Sequence, residues 1–191
     1  MSWINRLRDK LYGFEQRPPS VAVSPRTEPS VQSELPATFP ERVLFICSGN
    51  MCRSAYAEYR FRQMISASHA NTRIMSAGTL RLIGESAAPE MIAAAAERGL
   101  DLRPHRSNAL SGLLVKSADR IFAMDRSHYD TLLHIDPASG HKIVMLGLYL
   151  NTPQPEIEDP MGREPEVYRR VAAQIDEALD NWLRRMDSHD S

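Results

Sequence analysis

Four apolar residues, Val43-Leu44-Phe45-Ile46, run straight into Cys47-Ser48-Gly49-Asn50-Met51-Cys52-Arg53-Ser54, and this stretch restricts the fold more than any other. The apolar run reads as a buried strand. Beyond the turn, Ala57, Phe61, Met64 and Ile65 recur at helical spacing, so the polar stretch between is a strand-to-helix loop. Backbone N–H groups of such a loop converge, and the following helix N-terminus adds positive potential. The loop is built to hold an anion.

Cys47 stands at its mouth and Arg53 at its end. Helix N-termini and nearby cations favour the thiolate form of a cysteine, which is the nucleophilic form. A guanidinium can fork two N–H groups onto two phosphoryl oxygens. Ser54 can donate a hydrogen bond to the sulfur, and Gly49 is expected to take a backbone conformation closed to other residues. Nucleophile, anion nest and clamp in one turn point to phosphoryl transfer through a cysteinyl-phosphate.

Cys47-Ser48-Gly49-Asn50-Met51-Cys52-Arg53-Ser54 resembles the C-x-G-N-x-C-R-S signature of the low-molecular-weight protein tyrosine phosphatases. Cys-x5-Arg alone is shared by several phosphatase folds. The embedded Gly-Asn and second Cys, placed after a strand, make the match specific.

A chain of 191 residues can bury one core and carry a tail. Lys+Arg 23 against Asp+Glu 24 leaves a formal charge of -1, which gives no field for nucleic acid. Both cysteines sit in the anion loop, so a structural disulfide would consume the proposed nucleophile. That cysteine use, with no membrane-length apolar run and no secretory leader, reads as a cytoplasmic protein.

Before the loop, Trp3, Ile4, Leu7, Leu11 and Phe14 fall at helical spacing over residues 1–16, which reads either as an amphipathic helix contacting a membrane surface or partner or as a marginal helix that frays in water. Residues 17–40 are Pro-rich, with few large apolar groups, and read as a disordered linker. The catalytic domain is expected over 41–187, with 188–191 as a tail. Within it the pattern predicts strands at Thr72–Met75, Asp119–Asp125 and Lys142–Leu146. It predicts helices over Pro89–Arg98 (Met91, Ile92, Ala95 and Ala96 inward, Gly99 as stop), Asn108–Val115 capped by Ser107, Ser127–His134, and about Glu164–Met186. Strands alternating with helices imply an α/β three-layer sandwich around a parallel sheet, with ligands beyond the strands' C-terminal ends. The resemblance adds that the sheet is four-stranded, of order 2-1-3-4.

Protonating the leaving oxygen needs an acid opposite the sulfur. Asp159 stands in the loop Glu156–Gly162, where Pro160 restrains the residue before it. It resembles the Asp-Pro loop of the family, whose Asp donates a proton and later activates water. The resemblance also assigns Asn50, Ser54, Ser76 and His105 to hydrogen bonds that hold the loop rigid, and needs neither metal nor organic cofactor. Cys52 could link reversibly to an oxidised Cys47.

The chain departs from the family at three places. Ala55 replaces the usual Pro, and neither Met161-Gly162 nor Thr79-Leu80-Arg81-Leu82 supplies the aromatic walls of a phosphotyrosine cleft. Leu80, Leu82, Met161 and Tyr56 are the candidate walls instead. Similar walls occur in bacterial members that act on tyrosine kinases of polysaccharide export, so such a kinase is a candidate partner among tyrosine-phosphorylated proteins. The alternatives are a phosphoarginine phosphatase, an arsenate reductase and a non-catalytic phosphoprotein-binding module. The arginine branch carries Thr where Met51 stands, and a thioether is a poor substitute for that hydroxyl. The thioredoxin-coupled reductase needs further cysteines, and none follows Cys52. Retention of both Cys47 and Asp159 disfavours the binding module.

Overall fold

Strand β1 (Arg42–Cys47) is buried on both faces from Val43 onward. In the computed structural model it pairs in parallel with β2 (Arg73–Gly78) on one side and β3 (Arg120–Ala123) on the other; β4 (Ile143–Met145) follows β3. The order is 2-1-3-4, as the resemblance implied. Cover on both faces explains why β1 reads as an unbroken apolar run rather than an alternating one. The structure describes residues 35–65, 69–152 and 155–189, all within the second of two units, Val31–Ser191. The helix expected over 1–16 and most of the 17–40 linker lie outside the described residues.

Among the described residues five α-helices connect and cover the strands: α1 (Arg53–Met64), α2 (Pro89–Ala96), α3 (Gly112–Ser117), α4 (Arg126–Ile135) and α5 (Pro165–His189). Helices α1 and α2 pack on α5, and α1 also covers β1 and β2; α3 and α4 pack together, with α4 against β3 and β4. The apolar stripe of α5 buries Val171, Ile175, Ala178, Leu179, Trp182 and Met186. Trp182 meets the Phe122 ring edge-on at 5.3 Å, and Phe122 stacks on Phe45 at 5.2 Å. One aromatic column thus ties the closing helix to the two central strands.

Several boundaries differ from expectation. Strand β2 runs on to Gly78, taking Ser76 into the sheet. Helix α2 ends at Ala96 and turns at Gly99 (φ 71), with Ala94 rather than Ala96 facing inward. No helix begins at Asn108. Helix α3 starts four residues later, capped by Ser111, whose hydroxyl accepts from Leu114 N. Ser107 is instead buried, its hydroxyl accepting from Glu85 N while its own N–H donates to Glu85 O. Helix α5 runs past Met186 to His189. Phe39, read as linker, stacks over Phe61 at 6.4 Å and over His69 at 3.7 Å. Among the described residues no helix is long and apolar enough to cross a membrane.

Candidate active site

The loop from Ser48 to Cys52 leaves the C-terminal end of β1, and α1 starts at Arg53 although Ala55 replaces the family's Pro. The Cys47 sulfur lies at the loop's centre. It sits 2.9 Å from Ser54 Oγ, and Asn50 N donates to it from 3.2 Å. The left-handed residue is Asn50 (φ 54), not Gly49, which correct the expectation for that glycine. Asn tolerates this region because its short polar side chain can bond locally. A Cβ on Gly49 would make ordinary contacts, 3.7 Å from Leu82 and 3.8 Å from Met51.

Asn50 is fully buried and uses its whole side chain. Nδ2 donates to Ser54 Oγ at 2.9 Å and Ser76 Oγ at 2.7 Å, while Oδ1 accepts from Asn108 N at 2.8 Å. Its carbonyl meets His105 Nε2 at 2.7 Å. Asn50, Ser54, Ser76 and His105 are therefore joined in one network, extended by the Ser76 hydroxyl to Glu58. Burial pulls the His105 pKa below its usual value, against the opposing effect of the Asn50 carbonyl.

Arg53 is 2% exposed. Nη1 donates to Asp125 Oδ2 (3.1 Å) and the Ile157 carbonyl (3.0 Å); Nη2 faces Ser48 Oγ (3.4 Å) and Asp159 Oδ2 (2.7 Å). Nε is buried with no hydrogen-bond partner. A buried charged donor left unpaired is costly, so the guanidinium's Nε edge has a donor to spare for an acceptor oxygen. Burial alone would lower the arginine's pKa, but Asp159, Cys47 and Asp125 outweigh it and raise it.

Asp159 reaches this point because its loop is anchored: Ile157 is buried and its N–H donates to the Met124 carbonyl, just past β3, at 2.8 Å. Pro160 is buried as well, and Asp159 Oδ1 accepts from Met161 N at 3.2 Å. The carboxylate stays 45% exposed, at the mouth rather than the floor. Met51 and Cys52 are buried beneath the loop, and both cysteines are free thiols. Burial, then the charges of Asp159 and Cys47, push the Cys52 thiol well above its usual pKa. It is a protonated packing group at neutral pH.

Leu82 and Met161 are half-buried and Leu80 is 45% exposed. Leu80 N–H donates to the Ser48 carbonyl at 3.0 Å, which ties its segment to the loop. Tyr56 does not join these walls: it is fully buried and its hydroxyl donates to Asp176 at 2.7 Å.

Sequence reasoning missed three residues. Gly78, paired in register with Cys47, packs under the loop; a Cβ there would lie 2.7 Å from the Ser48 carbonyl and 2.9 Å from Asn50 N. Asp125 caps α4 and holds Arg53, and His128 lies behind Ser48 with Nε2 3.0 Å from its hydroxyl. Burial drives the His128 pKa down to about 4 in spite of Asp125. For Asp125, burial opposes the charge, yet bonds from Ser127 and His128 and the nearby Arg53 hold its carboxyl below the usual range. A residue at the C-terminal end of a parallel strand was the available signal.

A cavity of about 530 Å³ opens elsewhere, lined by Phe39, Arg42, His69 and Arg73 among others. Arg42 and Arg73 begin β1 and β2, so it lies at the opposite end of the sheet from Cys47. Among the described residues no three His, Cys, Asp or Glu side chains gather as a metal site.

The geometry belongs with a known group. The family model described as low molecular weight phosphotyrosine protein phosphatase matches residues 42–191, and the chain belongs to that family. Among relatives, it is 29% identical over 146 residues to the low molecular weight protein-tyrosine-phosphatase Wzb of Escherichia coli K12, covering 76% of this chain and 95% of that protein. The crystal structure of Wzb from Escherichia coli K30 with sulphate superposes with a TM-score of 0.71 at 28% identity, covering 78% of this chain and 99% of the other. The arginine phosphatase YwlE from Geobacillus stearothermophilus gives 0.68 at 26% identity, covering 77% and 93%.

Proposed function

We propose that this phosphatase hydrolyses phosphotyrosine in proteins through a phosphorylated Cys47. What carries the reading is the meeting of three groups at one loop: the Cys47 sulfur under the Asn50 amide, the unpaired Nε edge of Arg53, and the Asp159 carboxylate at the mouth. The loop amides of Ser48 to Ser54 and the guanidinium hold the equatorial oxygens. The Cys47 thiolate attacks phosphorus as the bond to the tyrosyl oxygen breaks, and Asp159 delivers a proton to that oxygen. Asp159 then takes a proton from water, whose oxygen attacks phosphorus; the sulfur–phosphorus bond breaks and phosphate leaves. The Ser54 hydroxyl, 2.9 Å from the sulfur, stabilises the thiolate as attacking and leaving group.

Asp159 is held by Arg53 Nη2 at 2.7 Å. A phosphoryl dianion supplies the guanidinium with new acceptors and releases the carboxyl to accept and deliver its proton. Met51 rather than a hydroxyl residue in the loop favours phosphotyrosine over phosphoarginine, and Leu80, Leu82 and Met161 give the ring aliphatic walls. The substrate is a tyrosine-phosphorylated cytoplasmic protein, with a bacterial tyrosine kinase as the candidate.

Paired phosphotyrosine and phosphoarginine peptides test the choice; faster turnover of the second overturns it. Cys47→Ser abolishes turnover of p-nitrophenyl phosphate. Asp159→Asn lowers kcat by about 10²–10⁴ on phenyl phosphate, and less on the p-nitrophenyl ester, whose leaving group needs little protonation. Full activity in Cys47→Ser removes the mechanism.

A further inference from the structure

The N-terminus of α4 sends a second line of contacts to Arg53 that the reaction above does not use. Asp125 Oδ2 takes Nη1 of Arg53 directly, at 3.1 Å. Nη2 is instead addressed through Ser48, whose hydroxyl lies 3.4 Å from it and 3.0 Å from His128 Nε2. We propose that His128 is a positioning residue, which orients the Ser48 hydroxyl and through it Arg53 Nη2, without touching substrate. The proposal rests on the hydrolysis through Cys47 described above.

Donor and acceptor capacities determine the direction of these bonds. A guanidinium only donates, so Ser48 Oγ must accept from Nη2. Its single proton is then available to His128, and Nε2 can take it only when unprotonated. Asp125 Oδ1 lies 3.0 Å from His128 Nδ1, off the hydrogen-bond line but close enough for its charge to favour the proton there. That tautomer leaves Nε2 as the acceptor. The imidazole cannot swing away: it is 1% exposed, and its own backbone N–H is tied to Asp125 Oδ1 at 3.1 Å. Remove the ring, and the Ser48 proton is free to turn toward the guanidinium, where it repels Nη2 rather than accepting from it.

The test compares wild type, Ser48→Ala, His128→Ala, His128→Gln and the double variant Ser48→Ala/His128→Gln. The readouts are kcat and KM for p-nitrophenyl phosphate, and inorganic phosphate affinity by calorimetry. Ser48→Ala and His128→Ala each weaken phosphate binding and lower kcat/KM by about tenfold, the scale of one hydrogen bond to a charged group. His128→Gln, whose amide oxygen can accept from Ser48, recovers part of the loss, and adding it to Ser48→Ala costs nothing further. Ser48→Ala removes the line of contacts without opening the core, so it decides the matter even if His128→Ala does not fold. Wild-type phosphate affinity in Ser48→Ala, or equal and additive losses from His128→Gln in both backgrounds, overturns the proposal. A wild type that binds phosphate but turns over no phosphomonoester overturns the hydrolysis reading instead, and the calorimetric comparison still decides the role of His128.

Discussion

Asn50 and Gly78 face each other across the first loop, and together they set its shape. Asn50 accepts a left-handed backbone at φ 54, and three side-chain hydrogen bonds hold it there. Gly78 leaves room for the turn: its missing Cβ would press on three backbone atoms of the loop, the nearest at 2.7 Å. Backbone in mid-loop cannot yield as a flexible side-chain tip can. Gly78→Ala is therefore expected to cost about 1–3 kcal/mol of stability and to displace the Ser48 carbonyl and Asn50 amide. Urea unfolding measures the first effect, and a fall in kcat/KM larger than any change in KM measures the second. Unchanged kinetics with unchanged stability would refute the packing. At this scale the local string around Cys47, and the Pro that follows Asp159, were legible because each announces itself to its chain neighbours. The contact of Asp125 with Arg53, like that of His128 with Ser48, was not. Each joins residues more than seventy positions apart, with no spacing pattern to signal it.

Elements pack by patterns that sequence does carry, and here the strands were legible, although β2 runs three residues past its expected end and β3 stops two short. An apolar run buried on two faces is unmistakable, and α5 declared its face through Val171, Ile175, Ala178 and Trp182. The short helix α3 was misplaced because several Ser and Asn residues before it could each cap a helix. Only tertiary contact selected Ser111 and gave Ser107 to the Glu85 segment. Polar clasps between elements were equally hidden. Asp176 on α5 accepts from the Tyr56 hydroxyl at 2.7 Å and from Arg98 Nη1 at 2.6 Å, with Arg60 Nε of α1 3.0 Å away. Burial and the bond to Asp176 push the Tyr56 phenol far above its usual pKa, so it stays a donor. Asp176→Ala leaves that hydroxyl buried and unpaired, at a cost of about 1–3 kcal/mol. The urea midpoint should fall with an unchanged slope, while kcat on p-nitrophenyl phosphate stays within about twofold of wild type. A large loss of kcat without loss of stability would mean that the clasp serves the site rather than the seam between α1 and α5.

For the molecule as a whole, the buried imidazoles behind the loop make stability depend on pH. His128 is held down to about 4 by burial, which outweighs the pull of Asp125, while Arg53 adds to the depression. Unfolded, the same imidazole titrates near 6.5. Between these values the unfolded chain binds a proton that the folded chain does not, so stability rises with pH across the window. The contribution is complete above about pH 6.5 and is lost as pH falls toward 4. A difference of that size amounts to about 3 kcal/mol. His105, lowered by burial in the same direction, adds to the loss. Asp125, held below the usual carboxylate range, extends it further into acid. Urea midpoints measured from pH 7.5 to 4.5 should therefore fall steadily, while those of His128→Gln, which has no imidazole at that position, should fall less steeply. Parallel curves for the two proteins would mean that the ring takes up its proton in the folded state, with its burial between α4 and the Cys47 loop relaxed.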